Sequence, residues 1–263
     1  MPTLGETVVV AALAGCATGL GALPTLVTDR VSHRVYDGAI GLAAGIMVGA
    51  AVFALVVPGL ELGSAWEVVA GVLVGGAFLL ATNALLPHVH LRFRADRLEG
   101  TAALEASGTT PPDDDLRRAL LVGAAVTIHN VPEGLAVGIA FGSGEAGLGF
   151  LIATAIAVQN VPDGFAMAVP ADRAGVSWPK TLLYTTLSGG LPEPIAAAVG
   201  FSLVALVTGL FPAAAGFAAG AMIAVVFREL VPSSHGHGYA DTATATFVAG
   251  FALMLVVDTV LAV

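Results

Sequence analysis

Long apolar runs dominate the pattern of this chain. Eight windows qualify as membrane spans: residues 6–27, 36–57, 66–86, 119–141, 147–169, 181–206, 213–231 and 243–262. A helix needs about 20 mostly apolar residues to cross a bilayer. Alternation of polar and apolar residues is absent, and a backbone in lipid must satisfy its own N–H and C=O groups, so each window predicts a transmembrane helix. Most connections are short. The exception is residues 88–118, which contain DRLEGTAALEASGTTPPDDD, a polar, acidic and Pro/Gly/Thr-rich stretch that predicts a mobile cytoplasmic loop.

Composition agrees with a lipid-embedded chain. Of 263 residues, 57% are hydrophobic and 11% charged, against about 25% charged in soluble domains. The net charge of −9, with Lys180 the single lysine, argues against a nucleic-acid partner. Cys16 is the single cysteine, which excludes an internal disulfide and a Cys-based zinc site. It ends an LAGC stretch like a lipoprotein cleavage box, but Glu6 and the lack of Lys or Arg before it leave no basic leader. A small residue in a packed first helix is the better reading.

Charge then orients the spans. Arg30, Arg34, Arg92, Arg94, Arg97, Arg117, Arg118, Arg173 and Lys180 all fall in alternate connections, and Arg228 lies near the end of span 7. The opposite connections hold Glu61, Glu67 and Glu145 and no Lys or Arg. The positive-inside rule predicts extracytoplasmic termini and a cytoplasmic long loop.

A repeat is visible as well. GLAAGIM at 41–47 matches GFAAGAM at 216–222, and VFALVVP at 52–58 matches VFRELVP at 226–232. The first copies lie on span 2 and the second on span 7, which run in opposite directions. This predicts a 3+2+3 inverted repeat, as in transporters with a site at the bilayer midplane. A small-residue packing face is the simpler reading of the GxAAGxM motif alone.

The polar residues inside the spans form a second duplicated set, HNVPEG at 129–134 and QNVPDG at 159–164. Both fall near mid-span. His129 and Glu133 share one helix face, as do Gln159 and Asp163, because residues four apart stack; Asn130 and Asn160 lie about 100° round from them. Pro132 and Pro162 leave the carbonyls of Ile128 and Val158 without their usual donors. GGLPEP at 189–194 adds Glu193 at similar depth. Each ionised carboxylate there costs about 2.5 kcal/mol or more if unpaired. No Lys or Arg lies near the middle of a span, so the missing charge points to a bound cation. One imidazole, three carboxylates and amide oxygens suit Zn²⁺, Fe²⁺ or Mn²⁺, and Met47 could add a thioether or simply fill the core. Secondary candidates for a pathway or cytoplasmic exit are Arg228, Glu229, His88, His90, His235 and His237; Glu6 and Asp258 are candidates for the opposite end.

These motifs, within eight spans with a long loop after the third, resemble the ZIP (Zrt/Irt-like) metal transporters, closest to the prokaryotic branch. The resemblance covers essentially the whole chain. It implies import of divalent transition metals, chiefly zinc and also Cd²⁺, Fe²⁺ or Mn²⁺, into the cytoplasm across the cell membrane. It further implies a homodimer, an elevator-like movement and a centre of one or two ions per protomer. His129, Asn130, Glu133, Gln159, Asn160, Asp163, Glu193 and Met47 match the family's metal positions, with Glu133 the bridge between two ions. The chain departs from the commoner pattern in having Gln159 for a histidine, Asp163 for a glutamate and Arg228 for a histidine. Two other readings start from the same residues. A divalent cation channel would use the same carboxylates. An intramembrane metalloprotease needs a motif such as HExxH, and His129 has no second histidine nearby.

Overall fold

The computed structural model describes residues 2–27, 31–85, 112–207 and 209–261. Among these the secondary structure is helical throughout, and eight segments are long and apolar enough to cross a membrane. They are α1 (Leu4–Val27), α2 (His33–Leu62), α3 (Ala65–Leu85), α4 (Pro112–Gly142), α5 (Ala146–Arg173), α6 (Trp178–Leu206), α7 (Phe211–Ser234) and α8 (Ala240–Leu261). Each overlaps one expected span, with ends that differ by a few residues. The main difference is α4, which begins at Pro112 rather than Ala119, so the end of the expected loop is helical. The rest of that loop, with His88 and His90, lies outside the described residues.

Local chemistry explains the irregular stretches. α1 opens with a capping box, Glu6 N–H donating to Thr3 Oγ1 at 3.2 Å and Thr3 N–H to Glu6 Oε2 at 2.8 Å. It tightens to 3₁₀ geometry over Ala17–Ala22, where its small residues press on α5 and α6. α2 and α7 each contain a π-helical stretch, Ala50–Val56 and Val226–Leu230, just before Val57–Pro58 and Val231–Pro232. Pro58 cannot donate to the Ala54 carbonyl, nor Pro232 to that of Arg228, and the wider turn makes room for each ring. α6 breaks at Leu191, so that Pro192 and Glu193 begin a fresh helix, Pro192–Leu206.

Glycines sort the helices into two groups. In the first, a Cβ on Gly134 of α4 would stand 2.6 Å from Glu193 Cα of α6, and one on Gly164 of α5 would stand 2.7 Å from the Thr18 carbonyl carbon of α1. Gly15 of α1 meets Gly189 of α6 in the same way. In the second group, Gly45 of α2 admits the backbone of α8 at Phe251, and Gly220 of α7 admits that of α3 at Val72. Among the described glycines, every one that closely meets another helix does so within α1/α4/α5/α6 or within α2/α3/α7/α8. Between the groups, α2 and α7 pack on α5 and α4. That contact is made by side chains such as Tyr36, Ile40, Met222, Val137, Ile156 and Phe165, all in one apolar core. α3 and α8 turn Leu73, Val74, Phe78, Val248, Val256 and Val260 outward, an apolar surface suited to lipid.

Candidate metal centre

The duplicated motifs do meet. His129, Glu133 and Asp163 are buried, and each offers a ligand atom within 4.8 Å of the other two. The i, i+4 spacing aims His129 and Glu133 off one face of α4, and Asp163 faces them from α5. Gly134 and Gly164 end the motifs because the backbones of α6 and α1 pass there. The first of these contacts brings Glu193 to the centre, at the first turn of the second half of α6, where the helix dipole favours a carboxylate.

Amide side chains hold the cluster in place. Gln159 Nε2 donates to Glu133 Oε1, and lies 3.4 Å from Asp163 Oδ2. Asn160 Nδ2 donates to the Ala14 carbonyl at 2.9 Å and to Glu193 Oε1 at 2.7 Å. Asn130 Nδ2 donates to the Ser188 carbonyl at 2.9 Å. Both asparagines thus spend their N–H groups on neighbouring helices and keep their oxygens for the interior.

The unmet demand is for a positive charge. His129 Nε2, Asn130 Oδ1, Glu133 Oε2, Gln159 Oε1, Asn160 Oδ1 and Glu193 Oε2 are buried without a hydrogen-bond partner. Buried polar atoms are rarely left so. Five are oxygen acceptors. The sixth becomes an acceptor too, because His129 can donate Nδ1–H to Glu229 Oε2 at 3.4 Å and leave the Nε2 lone pair free. Among the described residues, no Lys or Arg pairs with Glu133, Asp163 or Glu193. Tetrahedral zinc with ligand bonds of about 2.0 Å needs donor atoms about 3.3 Å apart, so contraction of about 1.5 Å or less closes the group on an ion.

Met47 is fully buried in the core face of α2. Glu229, expected near a cytoplasmic exit, is only 14% exposed and lies against His129 itself. Depth counting missed this contact; the cue was the VFRELVP match, since its proline forces the π-turn that carries Glu229. Arg228 beside it is half-buried. His235 is exposed, with Nδ1 3.0 Å from the Val231 carbonyl, and His237 pairs with Asp37 away from the centre. Pro132 is buried, whereas Pro162 lines an open apolar cleft of about 450 Å³ with Val161, Val35 and Phe165.

The sequence is similar to known metal transporters along nearly its whole length. The profile of the family described as ZIP Zinc transporter matches residues 95–258. The chain is 38% identical to the zinc transporter GufA of Myxococcus xanthus, over 97% of this chain and 98% of that protein. It is 35% identical to the zinc transporter ZIPB of Bordetella bronchiseptica, over 98% and 82%. It is 29% identical to the human zinc transporter ZIP11, over 92% and 93%.

Proposed function

Since the chain belongs to the ZIP zinc transporter family, we propose that it imports divalent transition metals, zinc foremost, through the centre between α4, α5 and α6. The observation that carries this reading is the convergence of His129, Glu133 and Asp163 among buried acceptors that lack partners. An ion arriving from outside sheds most of its water and takes His129 Nε2, Glu133 and Asp163 as ligands. A half-turn of the Gln159 amide presents its oxygen in place of its N–H. Glu193, Asn130 and Asn160 complete a second, adjoining set of oxygens, with Glu133 between the two. Met47 adds a thioether from α2. With no cysteine in that set and oxygens in the majority, Fe²⁺ and Mn²⁺ are also candidate cargo, and the Met47 thioether leaves room for the softer Cd²⁺.

Release comes from sliding of α1/α4/α5/α6 against α2/α3/α7/α8, an elevator-like movement. The glycine contacts support it: they join helices inside each group, while the boundary is made by side chains that can re-pack. They also support the inverted repeat. Exchanging α1–α3 with α6–α8 and α4 with α5 turns the α4–α6 contact at Gly134 into the α5–α1 contact at Gly164. It likewise turns α2–α8 at Gly45 into α7–α3 at Gly220. The basic connections support termini on the outside, and family likeness suggests a homodimer in the cell membrane. A channel reading is not favoured, since the relatives are named transporters.

The test is uptake of Zn²⁺, Cd²⁺, Mn²⁺ and Fe²⁺ into liposomes holding a metal-sensitive dye, wild type against Glu133→Ala and His129→Ala. Saturable uptake lost in both folded variants supports the centre; full uptake by both overturns it.

A further inference from the structure

We propose a second transition-metal site outside this centre, built by His33 and Asp37 of α2 with His237 from the α7–α8 connection. Its role as a waypoint for released ions rests on the transport reading above; its existence does not. His33 and Asp37 lie four residues apart in the first turns of α2 and so share a face. Asp37 is fully buried. Its Oδ1 accepts from His237 Nδ1 at 2.5 Å, while its Oδ2 is buried with no hydrogen-bond partner. The His237 ring stacks on His33 with centroids 4.4 Å apart and planes 20° from parallel. The edge contact with Tyr36, at 5.5 Å between centroids, fixes its orientation. His33 itself is exposed. The three side chains therefore form a ladder from a buried carboxylate to solvent.

A buried carboxylate with one oxygen unmet is half-satisfied, and a cation satisfies it. Two imidazoles and a carboxylate are a known zinc ligand class that leaves a position open for water. The ion enters between His237 and Asp37, replacing their hydrogen bond, and His33 swings from its stacked position to become the third ligand. All three ligands belong to the α2/α3/α7/α8 group, so the site stays whole when the other group slides.

The experiment is Zn²⁺ titration calorimetry on the purified full chain carrying His129→Ala and Glu133→Ala, which disable the first centre. The expected result is residual binding that weakens about 10-fold or more on adding Asp37→Asn or His237→Gln. His33→Gln, at an exposed position, weakens it less and guards against a folding defect in the buried variants. Residual binding unchanged by all three substitutions, or no residual binding in a folded background, overturns the proposal. Failure of the first centre is read separately, from uptake by Glu133→Ala alone.

Discussion

Replacing Glu133 by Gln separates metal binding from folding. The glutamine keeps the shape of the side chain and the acceptor that Gln159 uses, removes the charge and replaces the unpartnered oxygen by an NH2 donor. Without metal, Glu133 Oε2 is a buried acceptor with no partner, beside Asp163. An uncompensated buried acceptor costs about 1–3 kcal/mol, so the metal-free variant should be no less stable than wild type. With metal the order reverses. Zinc at 100 times its dissociation constant stabilises the wild type by about 2.7 kcal/mol. Loss of a charged ligand lowers affinity by about 100-fold, the upper end of the range for mere outer-sphere partners. The same zinc concentration then stabilises the variant by only about 0.4 kcal/mol. At about 2–4 °C per kcal/mol for a chain of this size, zinc raises the melting temperature by about 5–11 °C in wild type and about 1–2 °C in the variant. The assay is thermal melting in detergent, followed by the fluorescence of Trp66 and Trp178, with and without zinc. A variant that melts well below wild type without metal yet keeps the full zinc shift refutes the reasoning, because Glu133 would then be a structural group.

Other consequences follow from the packing and from the partner of His129. Gly134→Ala drives a methyl into the Glu193 backbone and should cost about 1–3 kcal/mol, whereas Gly147→Ala, with open space around it, should be neutral or slightly stabilising; melting curves of the two check this. Tyr36 and Ala166 face each other across the group boundary, the Tyr36 hydroxyl donating to the Ala166 carbonyl at 3.4 Å. In a Cys16→Ser background, joining cysteines at 36 and 166 with a short cleavable crosslinker should stop uptake, and cleavage should restore it; uptake unaffected by the crosslink contradicts sliding. Glu229→Gln frees the His129 ring from its carboxylate and should weaken zinc binding by about 10-fold without abolishing it, measured by calorimetry.

Much of the fold and of the candidate site was legible along the chain because membrane helices write their rules locally. Twenty apolar residues must be a helix in lipid, so the spans emerge from length alone. The i, i+4 spacing of His129 with Glu133 places them on one face whatever surrounds them. What needs a second helix to define it was not legible. Glu229 lies near the end of its expected span by residue count. Only a π-turn and the packing of α7 on α4 carry it to His129. The glycines of GLAAGIM and GFAAGAM could be seen as a close-packing face, and they are one, but the chain does not say that the first faces α8 and the second α3. The pairing of Asp37 with His237 likewise joins residues far apart in sequence.

The transported ion is expected at the meeting point of the two duplicated motifs. Crystals grown with zinc and measured on both sides of the zinc absorption edge locate it directly. An anomalous peak within bonding distance of His129 Nε2, Glu133 and Asp163, absent in Glu133→Ala crystals, is the result expected. Zinc found elsewhere in the wild-type chain, with this cluster empty at saturating metal, contradicts it.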